Sequence, residues 1–131
     1  MHPIQFQFQI GGYCGESHQI ELKRSKLLYR RAPRAYAWKP AVELSPSDGA
    51  WALFWQAVEA AGVWRWNDLY ENLDVLDGTQ WSLKLEHHGN NLTSGGSNAY
   101  PGSNAPDYSE TGEFGQFIKA VRELTGKHEI W

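Results

Sequence analysis

Four groups of residues have the types and spacing to do chemistry. His87-His88 comes first, because imidazoles bind metals and move protons near neutral pH. Adjacent strand residues point to opposite faces, however, and no other His or Cys sits nearby at ligand spacing, so the pair reads as hairpin-turn histidines in water. The acids Asp68, Glu71, Asp74 and Asp77 recur every three residues, and a helical turn would align them for a divalent cation or a basic partner. Capping and solubility account for them nearly as well, and no Lys or His is fixed beside them as a nuclease-like site would need. Cys14 lies in a glycine-rich stretch with His18 close along the chain, but nothing marks the third, orienting group of a triad. Ser94-Gly95-Gly96-Ser97-Asn98 offers backbone N–H groups to an anion, with Tyr100 able to stack on a base, yet it lacks the Lys-Ser or Lys-Thr and the following helix of a phosphate loop. No catalytic residue, metal ligand or cofactor is assigned on these patterns.

The chain that must position these residues has 131 of them, 41% hydrophobic, with 15 acidic and 12 basic side chains, one Cys and seven Trp. That suits one globular domain over residues 1–131, with enough chain for a single core. The longest apolar run, Ala50 to Trp55, is too short to span a membrane, and Met1 to Ile10 alternates Gln with apolar residues, unlike a signal peptide. A lone Cys14 makes no internal disulfide, which fits a reducing cytoplasm. The net charge of −3 hides a split: residues 1–40 carry seven bases and two acids, and residues 41–131 carry five bases and 13 acids. The bases from Lys23 to Arg34, with Tyr29 among them, suggest an anion site; against nucleic acid stands the lack of a broad positive field.

Ile4, Phe6, Phe8 and Ile10 alternate with Gln5, Gln7 and Gln9, the period of a strand with one buried and one wet face. Residues 19–23 and 27–31 predict a hairpin about a turn at Lys23 to Lys26. Residues 32–44, with Pro33 and Pro40, read as a connection. Ser45-Pro46-Ser47-Asp48 predicts a helix start with Ser45 as cap, and Trp51, Phe54, Trp55 and Val58 share one face of a helix over residues 46–61 that Gly62 closes. Residues 63–79 read as an ordered connection, packed by aromatics and edged with carboxylates. A fourth strand around Trp81, Leu83 and Leu85 leads into a turn over His87 to Asn90, where Gly89-Asn90 can take positive φ, and Asn91 to Ser94 starts a fifth. Residues 95–112 read as a long loop, and Phe114, Phe117, Ile118 and Val121 as the apolar face of a helix over 111–125 closed by Gly126.

Ile20-x-Leu22, Leu28, Trp55, Val58 and Gly62 have counterparts in Leu83-x-Leu85, Leu92, Ile118, Val121 and Gly126. This weak pseudo-repeat of hairpin, loop and helix predicts an α+β fold: a two-layer domain in the order βββαββα, with a five-stranded antiparallel sheet and two helices on one face. The wet face would carry Gln5, Gln7, Gln9, Glu21, Lys84 and Glu86.

Trp51, Trp55 and Trp81 fall at inward positions of periodic elements, whereas Trp38, Trp64, Trp66 and Trp131 lie in connections or at the terminus, where a large ring can anchor an interface. Gly11-Gly12-Tyr13, Trp64-x-Trp66-x-x-x-Tyr70, Asp77-Gly78-x-x-Trp81-x-Leu83, Gly96-Ser97-Asn98-Ala99-Tyr100-Pro101 and Phe114-x-x-Phe117-x-x-Ala120-x-x-x-Leu124 resemble a loose group of small bacterial proteins. The resemblance spans almost the whole chain and implies a shared fold, with no activity to carry over; the stretch between Pro101 and Thr111 is an insertion relative to that group. The expected function is non-enzymatic binding of another macromolecule, a protein, similar to immunity proteins, inhibitors or defence accessories of bacteria and phages. The expected interface is Trp64, Trp66, Asp68, Tyr70, Glu71, Asp74 and Tyr100. The alternative is a small anionic ligand or nucleotide on Lys23, Arg24, Tyr29, Arg30, Ser97, Asn98 and Tyr100, and an enzyme is the third reading.

Overall fold

Alternation at the N-terminus builds the central strand of the sheet. In the computed structural model, which describes residues 5–12, 15–34, 37–72, 78–102 and 108–131, β1 (Gln5–Gly12) pairs antiparallel with β2 (Ser17–Lys23) on one side and with β6 (Thr79–His87) on the other. β2 and β3 (Lys26–Ala32) form a hairpin whose two turn residues, Arg24 and Ser25, both take positive φ, the backbone twist a two-residue hairpin turn requires. β6 and β7 (Asn90–Ser97) form the second hairpin, turning within the expected His87 to Asn90 stretch, with positive φ at His88 and Gly89 in place of Gly89 and Asn90.

The sheet has seven strands and is mixed, in place of the expected five antiparallel ones. Its order is β4-β3-β2-β1-β6-β7-β5. The two additional strands are three residues each and close the edges: β4 (Val42–Leu44) pairs antiparallel with β3, and β5 (Leu69–Glu71) pairs parallel with β7. Short edge strands of this kind limit the row of open backbone groups that would otherwise template aggregation. β7 also continues through Gly95, Gly96 and Ser97, which were expected in a loop.

Two helices cover one face. In α1 (Asp48–Ala60) the capping side chain is Ser47, whose Oγ accepts from the Ala50 N–H at 3.1 Å, so Ser45 and Pro46 stand outside the helix. Gly62 at φ 69° ends its last turn, as Gly126 at φ 70° ends α2 (Glu113–Thr125). Phe6 stacks on Phe54 of α1 at 5.4 Å and Phe8 meets Phe117 of α2 edge-on at 5.2 Å, so one side of β1 seats both helices. Phe6, Phe8, Ile10, Ile20, Trp51, Trp81, Leu83, Leu85 and Leu92 are buried there. The two halves do repeat as hairpin then helix, but Leu28 faces the open side of the sheet while its counterpart Leu92 faces the core. Trp55, expected in the core, is half-buried under the ring of His87.

Candidate functional site

The expected interface separates into core and surface. Trp66 is buried against Trp81, Phe114 and Phe117, and Tyr100 is buried against Tyr108 and Phe114. Neither ring can meet a partner. Trp66 follows a short 3-10 turn (Val63–Arg65) that turns the chain inward from Gly62, and Tyr100 follows Asn98, whose positive φ bends the chain at the end of β7. Trp64 and Tyr70 are half-buried, and the Tyr70 hydroxyl accepts from the Asn67 N–H at 2.9 Å. Asp68 and Glu71 are exposed, and Asp74 lies outside the described residues.

The residues of the alternative ligand site do not converge. Tyr29 faces the core and is buried, whereas its neighbour Arg30 lies on the open face. Lys23 and Arg24 are at the β2–β3 turn, the end of the sheet opposite to Ser97, and three strand spacings, roughly 14 Å, separate β2 from β7. Asn98 is buried and occupied: its Oδ1 accepts from the Thr79 N–H at 2.8 Å, so it ties β7 to the start of β6.

What the fold does assemble is a shallow groove of about 420 Å³ on the open face, where β6, β7 and β5 meet. Register places Gln9, Ser82, Gly95 and Leu69 in one row across four strands, and Gly11, Gln80, Ser97 and Glu71 in the next. Gly95 supplies a floor without a side chain, and Leu69 stands beside it 58% exposed. Glu71, two residues on in the strand, shares that face with Leu69 and gives an apolar knob beside a carboxylate, and Asp68 precedes Leu69 in the chain as a second exposed acid. Sequence reading singled out the acids and the glycines but passed over Leu69, which reveals its exposure only once residues 69–71 are known to form an edge strand.

A polar chain inside the protein was also missed. His18, one of the few buried polar residues, sits on the core side of β2 with Nδ1 2.8 Å from the Tyr29 hydroxyl, which in turn lies 3.3 Å from Glu129 Oε1. Burial holds the His18 pKa below the ordinary imidazole value, against the raising influence of Glu16 and Glu129. Burial likewise raises the Tyr29 hydroxyl, with the Glu129 charge adding to it, and the Glu129 carboxyl is lowered chiefly by its own backbone N–H. Beside them the Arg31 guanidinium pairs with Glu16 at the surface.

His87 and His88 do meet, with ring centroids 4.1 Å apart, because the positive φ of His88 folds the turn; the His87 ring lies flat on Trp55 at 3.7 Å. Among the described residues no group of three or more His, Cys, Asp or Glu is placed to hold a metal ion. No helix among them is long and apolar enough to cross a membrane. No protein-family model, curated protein or solved structure matches this chain.

Proposed function

We propose that this chain is a non-enzymatic protein-binding module that docks through the open sheet face at the β6–β7–β5 end. Leu69 on its glycine floor carries the reading: an exposed large apolar side chain beside a concave surface edged by Glu71, with the exposed Asp68 next to Leu69 in the chain, has the apolar centre and polar surround of a protein contact. The partner that fits presents one apolar side chain to the groove and basic groups to the two carboxylates. A role of the immunity, inhibitor or defence-accessory kind in a bacterial or phage-infected cytoplasm suits a small acidic module with a single Cys, by analogy with proteins of that build.

The test is capture from the host, with the partner identified by mass spectrometry, by wild type, by Leu69→Asp and by Leu53→Asp. Leu53 is the control, since it is also exposed but lies on α1 on the other side of the molecule. Loss of the same partner from Leu69→Asp alone supports the reading. Equal capture by all three rejects the site, and failure of wild type to capture any protein reproducibly rejects the function.

A further inference from the structure

The last five residues close the core on the side that the helices leave uncovered. After the left-handed Gly126, residues 127–131 turn back along the inner face of β2 and β3, burying Ile130 completely. Among the described residues, five hydrogen bonds hold them: the Lys127 N–H donates to Thr125 Oγ1 at 3.2 Å, Arg122 Nε to the Ile130 carbonyl at 2.5 Å, the Tyr108 hydroxyl to the Trp131 carbonyl at 2.5 Å, Trp131 Nε1 to the Glu16 carbonyl at 3.2 Å, and the Tyr29 hydroxyl to Glu129 at 3.3 Å. The Lys127 ammonium stands 5.4 Å from the centre of the Tyr29 ring.

His18 lies beneath this strap and is tied to it through Tyr29. Because the Tyr29 hydroxyl gives its proton to Glu129, its oxygen accepts from His18, so Nδ1 carries a hydrogen and a second proton would go to Nε2. A second proton would charge an imidazole that is 1% exposed. The charged groups acting on it from the neighbouring segments are Glu16 before β2, Arg31 on β3 and Glu129 in the strap; Lys127 adds a further cation over Tyr29. Two carboxylates are thus set against two cations, one carboxylate already engaged by Arg31 and the other by Tyr29.

We propose that residues 127–131 are a proton-released strap, closed over the buried His18 while that ring is neutral and detached from β2 and β3 when His18 takes a second proton, while the rest of the core stays folded. With the strap open, His18 meets water and regains its ordinary affinity for a proton, so the open form binds protons that the closed form refuses. Closure is therefore fully favoured above pH about 6.5 and weakens as pH falls below it. Glu129, held below the ordinary carboxylate value when closed, acts in the same direction at lower pH, because it too takes up a proton more readily once released. Acid would thus expose Ile130, Trp131 and the Tyr29 side of the sheet.

Hydrogen exchange read by mass spectrometry on the C-terminal peptide tests this, with rates corrected for intrinsic pH dependence. Between pH 7.5 and 5.5, protection of residues 127–131 should fall by up to about tenfold, the limit for one group of pKa near 6.5, and at both pH values it should lie well below that of peptides from β1 and β6, which exchange only on global unfolding. His18→Asn should abolish the pH response, and Glu129→Gln should keep it in this range. Unchanged protection, protection of residues 127–131 equal to that of β1 and β6, or a response that survives in His18→Asn overturns the proposal. Should His18→Asn fail to fold, the His18 ring signal of the wild type decides by NMR: a titration below 6.5 supports the strap, and one at or above 6.5 overturns it.

Discussion

The Trp81 indole N–H donates to the Ala99 carbonyl at 2.9 Å, and it reaches that carbonyl because position 96 has no side chain. The same corner brings Gly78 against the Asn98 amide, Asn98 onto the Thr79 N–H, and Tyr100 onto Phe114. Residues 78–83 and 96–101 therefore form one interlock at the end of β6 and β7. Gly78, Trp81, Gly96, Asn98 and Tyr100 thus serve together to close one corner of the sheet.

Gly96→Ala tests the interlock directly. A Cβ there would lie 2.4 Å from Trp81 Nε1 and 2.5 Å from the Ala99 oxygen, so the indole or the loop must move. Overpacking of this kind costs about 1–3 kcal/mol. Urea denaturation should show the loss as a lower midpoint at unchanged slope; a variant as stable as wild type would mean the corner yields freely.

Asn98→Ala should cost about 1–3 kcal/mol through the Thr79 N–H it leaves without its acceptor. Asn98→Asp keeps an acceptor and tolerates the left-handed backbone at φ 55°, so thermal melting should place it between alanine and wild type. Equal losses for the two variants would assign the effect to backbone conformation instead.

How much of this was readable before the structure divides by range. The Gln-apolar alternation of β1, the apolar faces of both helices and the closing glycines Gly62 and Gly126 are local patterns, and all appear in the fold. β4 and β5 have three residues each, too few for any period; they are strands because β3 and β7 offer free edges there. Trp66 and Tyr100 look like surface aromatics in irregular chain, and they are core because Trp81 and Phe114 make a slot for them from 15 and 14 residues away. The His18–Tyr29–Glu129 chain was least readable, since its last member is 100 residues from Tyr29 and only the strap returns it.

Global stability should fall between pH 7.5 and 5.5. Burial, and secondarily the neighbouring His88, holds His87 below the ordinary imidazole value, as burial does His18. A histidine whose folded pKa is depressed adds stability above its unfolded value near 6.5 and loses it as pH drops through the folded one, because the unfolded chain takes the proton first. His87→Gln, which cannot titrate, should flatten part of the dependence in denaturation series at the two pH values. A slope as steep as wild type would place the whole effect elsewhere.

Charge reversal at the groove rim separates docking from folding. Asp68 and Glu71 are exposed, so Asp68→Lys and Glu71→Lys should change stability by no more than about 0.5 kcal/mol. Their effect on a basic partner is larger, because each reversal replaces attraction with repulsion at the edge of the contact. With the captured partner in hand, titration at low and high salt should show wild-type affinity weakening as ions screen the rim. The double variant should bind at least about tenfold more weakly at low salt, roughly 1.4 kcal/mol, and lose most of its salt dependence. Association that is equally salt-sensitive in both proteins would place the partner's charges against another surface, with the basic β2–β3 turn, where Lys23 and Arg24 are exposed at the opposite end of the sheet, the next to be reversed.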